Sequence, residues 1–394
     1  MIKVNKNFEN LKKNYLFVEM GNRIKAYQEK NPQAKIIRLG IGDVTLPLCQ
    51  TVIKAMHEAV DEMAKKETFK GYGPSNGYEF LREAISKSYL KYDIEIDKND
   101  VYVSDGAKSD TANIMDIFDA SGDVLIPDPA YPVYVDSSII AGKNIHFVKA
   151  TQENGFLPMP DYKISPSLIY ICSPNNPTGA VYDKEQLKKW VDYALDKQAI
   201  IIFDAAYEPF IVDKDLPHSI YEIENAKKCA IEVCSFSKGA GFTGIRCAYT
   251  VVPSEIKVDG KKIGDIWMRR QSCKFNGATY ITQKAALAAL SENGQKENKE
   301  MVDYYRRNAK VLVDTMKKLG IWHVGGENSP YVWIKCPNNM KSWDFFDLLL
   351  EKANIVGTPG AGFGDSGEGY FRFSSFGNYE DVLEAASRLE KLDF

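Results

Sequence analysis

Residues 235–246, Ser-Phe-Ser-Lys-Gly-Ala-Gly-Phe-Thr-Gly-Ile-Arg, gather two serines, one lysine, three glycines and one arginine. Small hydroxyls, open backbone N–H groups and a guanidinium are what a phosphate needs. A lysine among other cations, or in a dry pocket, loses its proton readily and becomes a nucleophile toward carbonyl carbon. Ser235, Ser237, Lys238 and Arg246 therefore combine anion binding with covalent carbonyl chemistry in one turn. The spacing is neither a G-x-x-x-x-G-K-[ST] loop nor a G-x-G-x-x-G turn, so the two common nucleotide cradles are excluded.

The elements around this turn must hold it in place. Short apolar runs recur from residue 100 onward: Val101-Tyr102-Val103, Val124-Leu125-Ile126, Ile145-His146-Phe147-Val148, Leu168-Ile169-Tyr170-Ile171, Ile200-Ile201-Ile202-Phe203 and Ile231-Glu232-Val233-Cys234. Helical patterns lie between them, including one with Leu187, Trp190, Val191, Ala194 and Leu195 inward and an Asp183…Gln186 capping pair at its start. Continuous apolar strands separated by helices predict an α/β fold with a mostly parallel sheet sandwiched by helices. Ligands of such sheets sit beyond the carboxyl ends of the strands. The polar groups there are Ser104-Asp105-Gly106-Ala107-Lys108, Asp128-Pro129-Ala130-Tyr131, Ser173 to Gly179 around Asn176, Asp204-Ala205-Ala206-Tyr207, and Ser235, Ser237 and Lys238. One lysine, a carboxylate and a phosphate cradle in a single crevice are the parts that hold pyridoxal phosphate.

Beyond the sheet, a helix is expected over 51–65, another long helical stretch over 282–319, and a last helix over 381–392. Strands are expected at Tyr331-Val332-Trp333-Ile334 and Tyr370-Phe371-Arg372-Phe373. The chain thus divides into a large cofactor-binding domain, 50–285, and a smaller α+β domain assembled from both termini, 1–49 with 286–394.

Composition narrows the function classes. With 394 residues, 50 Lys+Arg and 53 Asp+Glu, the chain has no basic surplus of the kind that nucleic-acid binding uses. No apolar run reaches membrane-spanning length, and the first fourteen residues carry no signal-peptide pattern. Seven scattered cysteines without C-x-x-C spacing fit a reducing, cytoplasmic setting rather than a disulfide frame or zinc site. Four isolated histidines make a metal centre or a Ser-His-Asp triad a poor explanation, so no metal is expected.

The pattern resembles the pyridoxal-phosphate-dependent class I/II aminotransferases of fold type I and, among them, the LL-diaminopimelate aminotransferase family. Ser173-Pro174-Asn175-Asn176-Pro177-Thr178-Gly179 and Ser235-Phe236-Ser237-Lys238 carry the broad likeness; Asn14-Tyr15-Leu16-Phe17, Asp105-Gly106-Ala107-Lys108 and Lys274-Phe275-Asn276-Gly277 carry the narrower one. The resemblance implies that Lys238 holds the cofactor covalently and moves protons, that Asp204 pairs with the pyridine nitrogen, and that Tyr131 stacks on the ring. It implies that Asn176 and Tyr207 bind the ring hydroxyl, and that Ser235, Ser237, Arg246 and the backbone at Ala107 and Lys108 hold the phosphate. Arg372 would clamp the substrate α-carboxylate, while Tyr15, Gly42, Lys108, Tyr131, Asn176 and Asn276 would also touch substrate. Tyr72 and Asn276 would come from the second subunit of a homodimer with shared active sites. The implied reaction is reversible transfer of an amino group between LL-diaminopimelate and 2-oxoglutarate in lysine biosynthesis. Ser75 departs from the family, which carries an acidic residue after Tyr-Gly-Pro to bind the distal ammonium. That leaves a related aminotransferase acting on aspartate, aromatic or other amino acids as the alternative, with Glu79 as a replacement carboxylate.

Overall fold

A computed structural model describes residues 2–11, 16–40 and 42–394. Its centre is a seven-stranded sheet made of β1 (Val101–Ser104), β2 (Val124–Asp128), β3 (Ile145–Lys149), β4 (Leu168–Cys172), β5 (Ile200–Asp204), β6 (Ala230–Ser235) and β7 (Ala248–Val251). The spatial order is β1-β7-β6-β5-β4-β2-β3. Only β7 runs against its neighbours, Ser104 facing Ala248 on one side and Ser235 facing Ala248 on the other. β1 is therefore codirectional with β2, β4, β5 and β6, and the carboxyl ends of these five strands lie along one edge. The mostly parallel sheet expected from the apolar runs is present.

Both faces of the sheet are covered. One carries Leu125, Ile169, Ile171, Ile201 and Phe203 against Trp190 and Leu187 of the helix Lys184–Lys197. The other carries Val124, Ile126, Tyr170, Ile202 and Val233 against Trp267 and Tyr134. This two-sided burial is why the strands read as unbroken apolar runs. The helix Lys184–Lys197 starts with the capping box expected at Asp183 and Gln186: Gln186 N–H donates to Asp183 Oδ1 at 2.7 Å, and the Gln186 side chain accepts from Asp183 N–H at 3.0 Å.

A third core is built from the two ends of the chain. The strands His323–Gly325, Tyr331–Lys335, Thr358–Pro359 and Tyr370–Ser374 form an antiparallel sheet. Leu16, Met20 and Ile24 of the helix Leu16–Lys30 pack with Trp333, Phe345, Leu349 and Phe371. Ile37 and Arg38 pair in parallel with Ile355 and Val356. The expected helix over 282–319 is two helices, Tyr280–Ala289 and Glu292–Lys318. The break falls at Ser291, whose side chain accepts from Gly294 N–H at 3.2 Å and starts the second helix. A serine that caps is hard to tell from a serine within a helix by apolar spacing alone.

Candidate active site

Five strand ends deliver the polar groups to one crevice. Asp204 closes β5, one residue from the register pair Phe203–Glu232, and its side chain is buried. Its Oδ2 accepts from the Tyr134 hydroxyl at 2.6 Å and its Oδ1 accepts from Ala206 N–H at 3.0 Å. Burial pushes the Asp204 carboxyl up from its ordinary range, and the two hydrogen bonds oppose that rise.

Lys238 lies in the short helix Phe236–Gly239 that begins as β6 ends. Its ammonium donates to the Gly42 carbonyl and lies 5.4 Å from the Phe376 ring centroid. Burial pulls its pKa down from 10.5 to about 8; Arg372 and Arg246 add to that fall, and Asp43 opposes it. The same turn gathers hydroxyl, backbone and guanidinium donors of the kind an anion needs. Ser235 caps the helix by accepting from Ser237 N–H at 3.1 Å, and Arg246 Nη1 donates to Ser237 Oγ at 3.4 Å. Gly106 approaches Arg246 so closely that an added Cβ would overlap Nη2, and its φ of +154° also favours glycine. Ala107 follows as the first residue of the helix Ala107–Asn113, buried beside the cradle, while Lys108 points to the exposed side.

Arg372 comes from the terminal sheet and is 1% exposed. Nη1 donates to Asn176 Oδ1 at 2.6 Å; Nη2 donates to the Gly40 carbonyl at 2.9 Å and to Thr358 Oγ1 at 3.3 Å. The guanidinium carbon sits 4.2 Å from the Tyr331 ring centroid and 4.9 Å from that of Phe363. Nε is buried without a partner. The Tyr207 and Tyr331 hydroxyls are 2.7 Å apart, and a Cβ at Gly42 would stand 2.8 Å from the Tyr331 hydroxyl. Arg372, Asn176, Tyr207, Tyr331 and Gly42 therefore form one connected wall.

Lys238, Asp204, Asn176, Tyr207, Ser235, Ser237, Arg246, Ala107, Gly42 and Arg372 lie around one crevice. Tyr131 is half-buried with its ring edge-on to Tyr134, the centroids 5.6 Å apart. Tyr72 is 94% exposed and Asn276 is exposed as well. Their loops meet at the surface, where a Cβ on Gly277 would lie 2.9 Å from the Pro74 carbonyl oxygen. Tyr15 lies outside the described residues. Ser75 is half-buried, and Glu79 is exposed and paired with Lys98 at 2.6 Å, which holds its carboxyl below the usual range.

Two residues of the site, Tyr134 on Asp204 and Tyr331 in the wall, escaped the sequence reading. Tyr134 lies just past the Asp128-Pro129-Ala130-Tyr131 stretch, and the one signal for it is its place three residues after Tyr131, in the first turn of the helix Pro132–Ile140. Tyr331 read only as a strand residue, and nothing local marks it. Among the described residues, no group of three or more His, Cys, Asp or Glu is arranged to hold a metal ion, and all seven cysteines are free. No helix there is long and apolar enough to cross a membrane.

Residues 34–389 match the family described as aminotransferase class I and II, and the chain belongs to that family. It is an aminotransferase of the fold type I architecture. Over its whole length it is 50% identical to the LL-diaminopimelate aminotransferase of Agathobacter rectalis, covering 100% of both chains, and equally to that of Lachnospira eligens. The solved structure of L,L-diaminopimelate aminotransferase from Chlamydomonas reinhardtii superposes with a TM-score of 0.93 at 41% identity, covering 99% of this chain and 98% of that one.

Proposed function

We propose that this aminotransferase moves an amino group reversibly between LL-diaminopimelate and 2-oxoglutarate, yielding tetrahydrodipicolinate and glutamate on the route to lysine. It would do so as a cytoplasmic homodimer that uses pyridoxal 5′-phosphate. The observation that carries the substrate assignment is the likeness, from end to end, to relatives of that name. The donor set fits the cofactor: Asp204 is a buried carboxylate suited to a pyridinium N–H, and Gly106 leaves room beside Arg246. Pyridoxal phosphate, when bound, supplies an electron sink that acidifies the substrate Cα–H bond.

The chain's own residues do the rest. Ser235, Ser237, Arg246 and the backbone of Ala107 and Lys108 bind the phosphate. Asp204, oriented by Tyr134, keeps a proton on the ring nitrogen. Tyr131 covers the ring, and Asn176 and Tyr207 bind its hydroxyl. Arg372 holds the α-carboxylate of each amino or oxo acid and excludes water from it. The Lys238 amine takes the proton from the substrate Cα as general base. Tyr72 and Asn276 complete the neighbouring subunit's site, and Tyr15, Gly42, Lys108 and Asn276 contact substrate. Residues 50–285 serve as the cofactor-binding unit, and 1–49 with 286–394 as the unit that carries Arg372.

A second reading has one observation in its favour. Glu79 is engaged by Lys98, so within one protomer it does not replace the acidic group absent at Ser75. An aminotransferase for aspartate or aromatic substrates would tolerate that. Mixing the cofactor-loaded protein with LL-diaminopimelate, meso-diaminopimelate, glutamate and aspartate in separate single half-reactions distinguishes the two. Loss of the yellow absorbance with LL-diaminopimelate and glutamate supports the first reading. Loss with glutamate or aspartate but not LL-diaminopimelate overturns it in favour of the second.

A further inference from the structure

The mechanism above leaves one buried carboxyl near the cradle unused. Asp110 lies in the helix Ala107–Asn113 and is 2% exposed. Its Oδ2 accepts from two hydroxyls, Ser104 Oγ at 2.6 Å and Thr250 Oγ1 at 2.7 Å. Ser104 Oγ in turn accepts from Gly106 N–H at 3.4 Å, and Gly106 is the residue that touches Arg246. Asp110 thus lies one hydrogen-bonded hydroxyl away from the loop that forms the cradle.

We propose that Asp110 is a positioning residue of the phosphate cradle that takes up a proton when a phosphate dianion binds there. The two hydroxyls can serve both states, because each can rotate from donor to acceptor. The ionised form tightens Ser104 and Thr250 toward the helix; the protonated form removes a negative charge from beneath the incoming anion. This rests on the reading of residues 235–246 as a phosphate cradle.

The electrostatic balance favours such a switch. Burial pushes the Asp110 carboxyl up to about 7, the Ser104 and Thr250 hydrogen bonds oppose that rise, Asp105 adds to it and Arg270 opposes it. Other acidic side chains on the elements packed against this helix are Asp116, Asp136, Asp204 and Glu232. With both forms populated near neutrality, a dianion nearby raises the pKa further, so anion binding takes up a proton. Affinity then falls as pH rises above about 7, by at most about tenfold per pH unit for one linked proton.

The test is calorimetry of pyridoxine 5′-phosphate and of inorganic phosphate binding to the cofactor-free protein. Measurements at about pH 7.5 in two buffers of different ionisation heat count the protons taken up. The phosphate's own ionisation and Lys238 contribute to both wild type and Asp110→Asn, so the difference between the two proteins reports Asp110. Wild type is expected to take up several tenths of a proton more than Asp110→Asn, and its affinity to fall more steeply with pH. Thr250→Val removes one bond that favours the ionised form and is expected to shift the pH of maximal uptake upward; it carries the test if Asp110→Asn does not fold. Binding with equal proton counts, or with no shift in Thr250→Val, overturns the role of Asp110. Failure of both probes to bind overturns the cradle reading beneath it.

Discussion

Tyr134 and Asp204 are joined by one hydroxyl–carboxylate bond in a dry place, and that bond favours the ionised carboxylate. Tyr134→Phe removes it while keeping the ring that stacks on Tyr170. A hydrogen bond to a charged group contributes about 1.5–3 kcal/mol, so the turnover rate should fall roughly 10- to 100-fold. Steady-state kinetics beside an unchanged circular dichroism spectrum checks this. Lys238 gives a second expectation. Its amine is neutral only above a pKa of about 8, so capture of pyridoxal phosphate should speed up as pH rises and level off above that value. A stopped-flow pH series measures it; a flat profile from pH 6 to 9 contradicts it. At this scale the sequence was readable where one short motif gathers the polar groups of the crevice, as around Lys238 and Asn176. Tyr331 was not readable, because it matters only through Tyr207 and Arg372, which reach it from other parts of the chain.

The elements explain why these side chains meet. Five strands that end on one edge were legible from apolar runs, since burial on both faces leaves an unbroken signature. The antiparallel insertion of β7 between β1 and β6 was not, because pairing order leaves no local mark. Gly106 shows what the strand-to-helix turn requires. Gly106→Ala puts a Cβ into Arg246 in a backbone conformation that suits glycine, and should displace the guanidinium from the cradle. The expected outcome is at least tenfold weaker pyridoxal phosphate binding with the fold retained, an effect of about 1.4 kcal/mol or more. Fluorescence titration of the cofactor-free variant reads it, and wild-type affinity would contradict it.

For the whole molecule, the proposed sharing of sites between subunits can be tested by complementation. Lys238→Ala lacks the amine proposed to react, and Tyr72→Ala lacks the exposed ring proposed to serve the neighbour. Each variant alone should be nearly inactive. If Tyr72 serves the partner's site, a co-refolded equal mixture should regain about a quarter of wild-type activity, since half the molecules pair unlike subunits and each such pair keeps one intact site. No recovery, with mixed pairs present in native mass spectrometry, contradicts the shared site. The pairing of Ile37–Arg38 with Ile355–Val356 bears on the life of the chain before any of this chemistry begins. A ribosome adding about 5–20 residues per second releases the first strand tens of seconds before its partner exists. Through that interval Leu16, Met20, Ile24 and Ile37 have no finished core to enter, and the nascent chain presents them to whatever chaperone waits at the tunnel mouth.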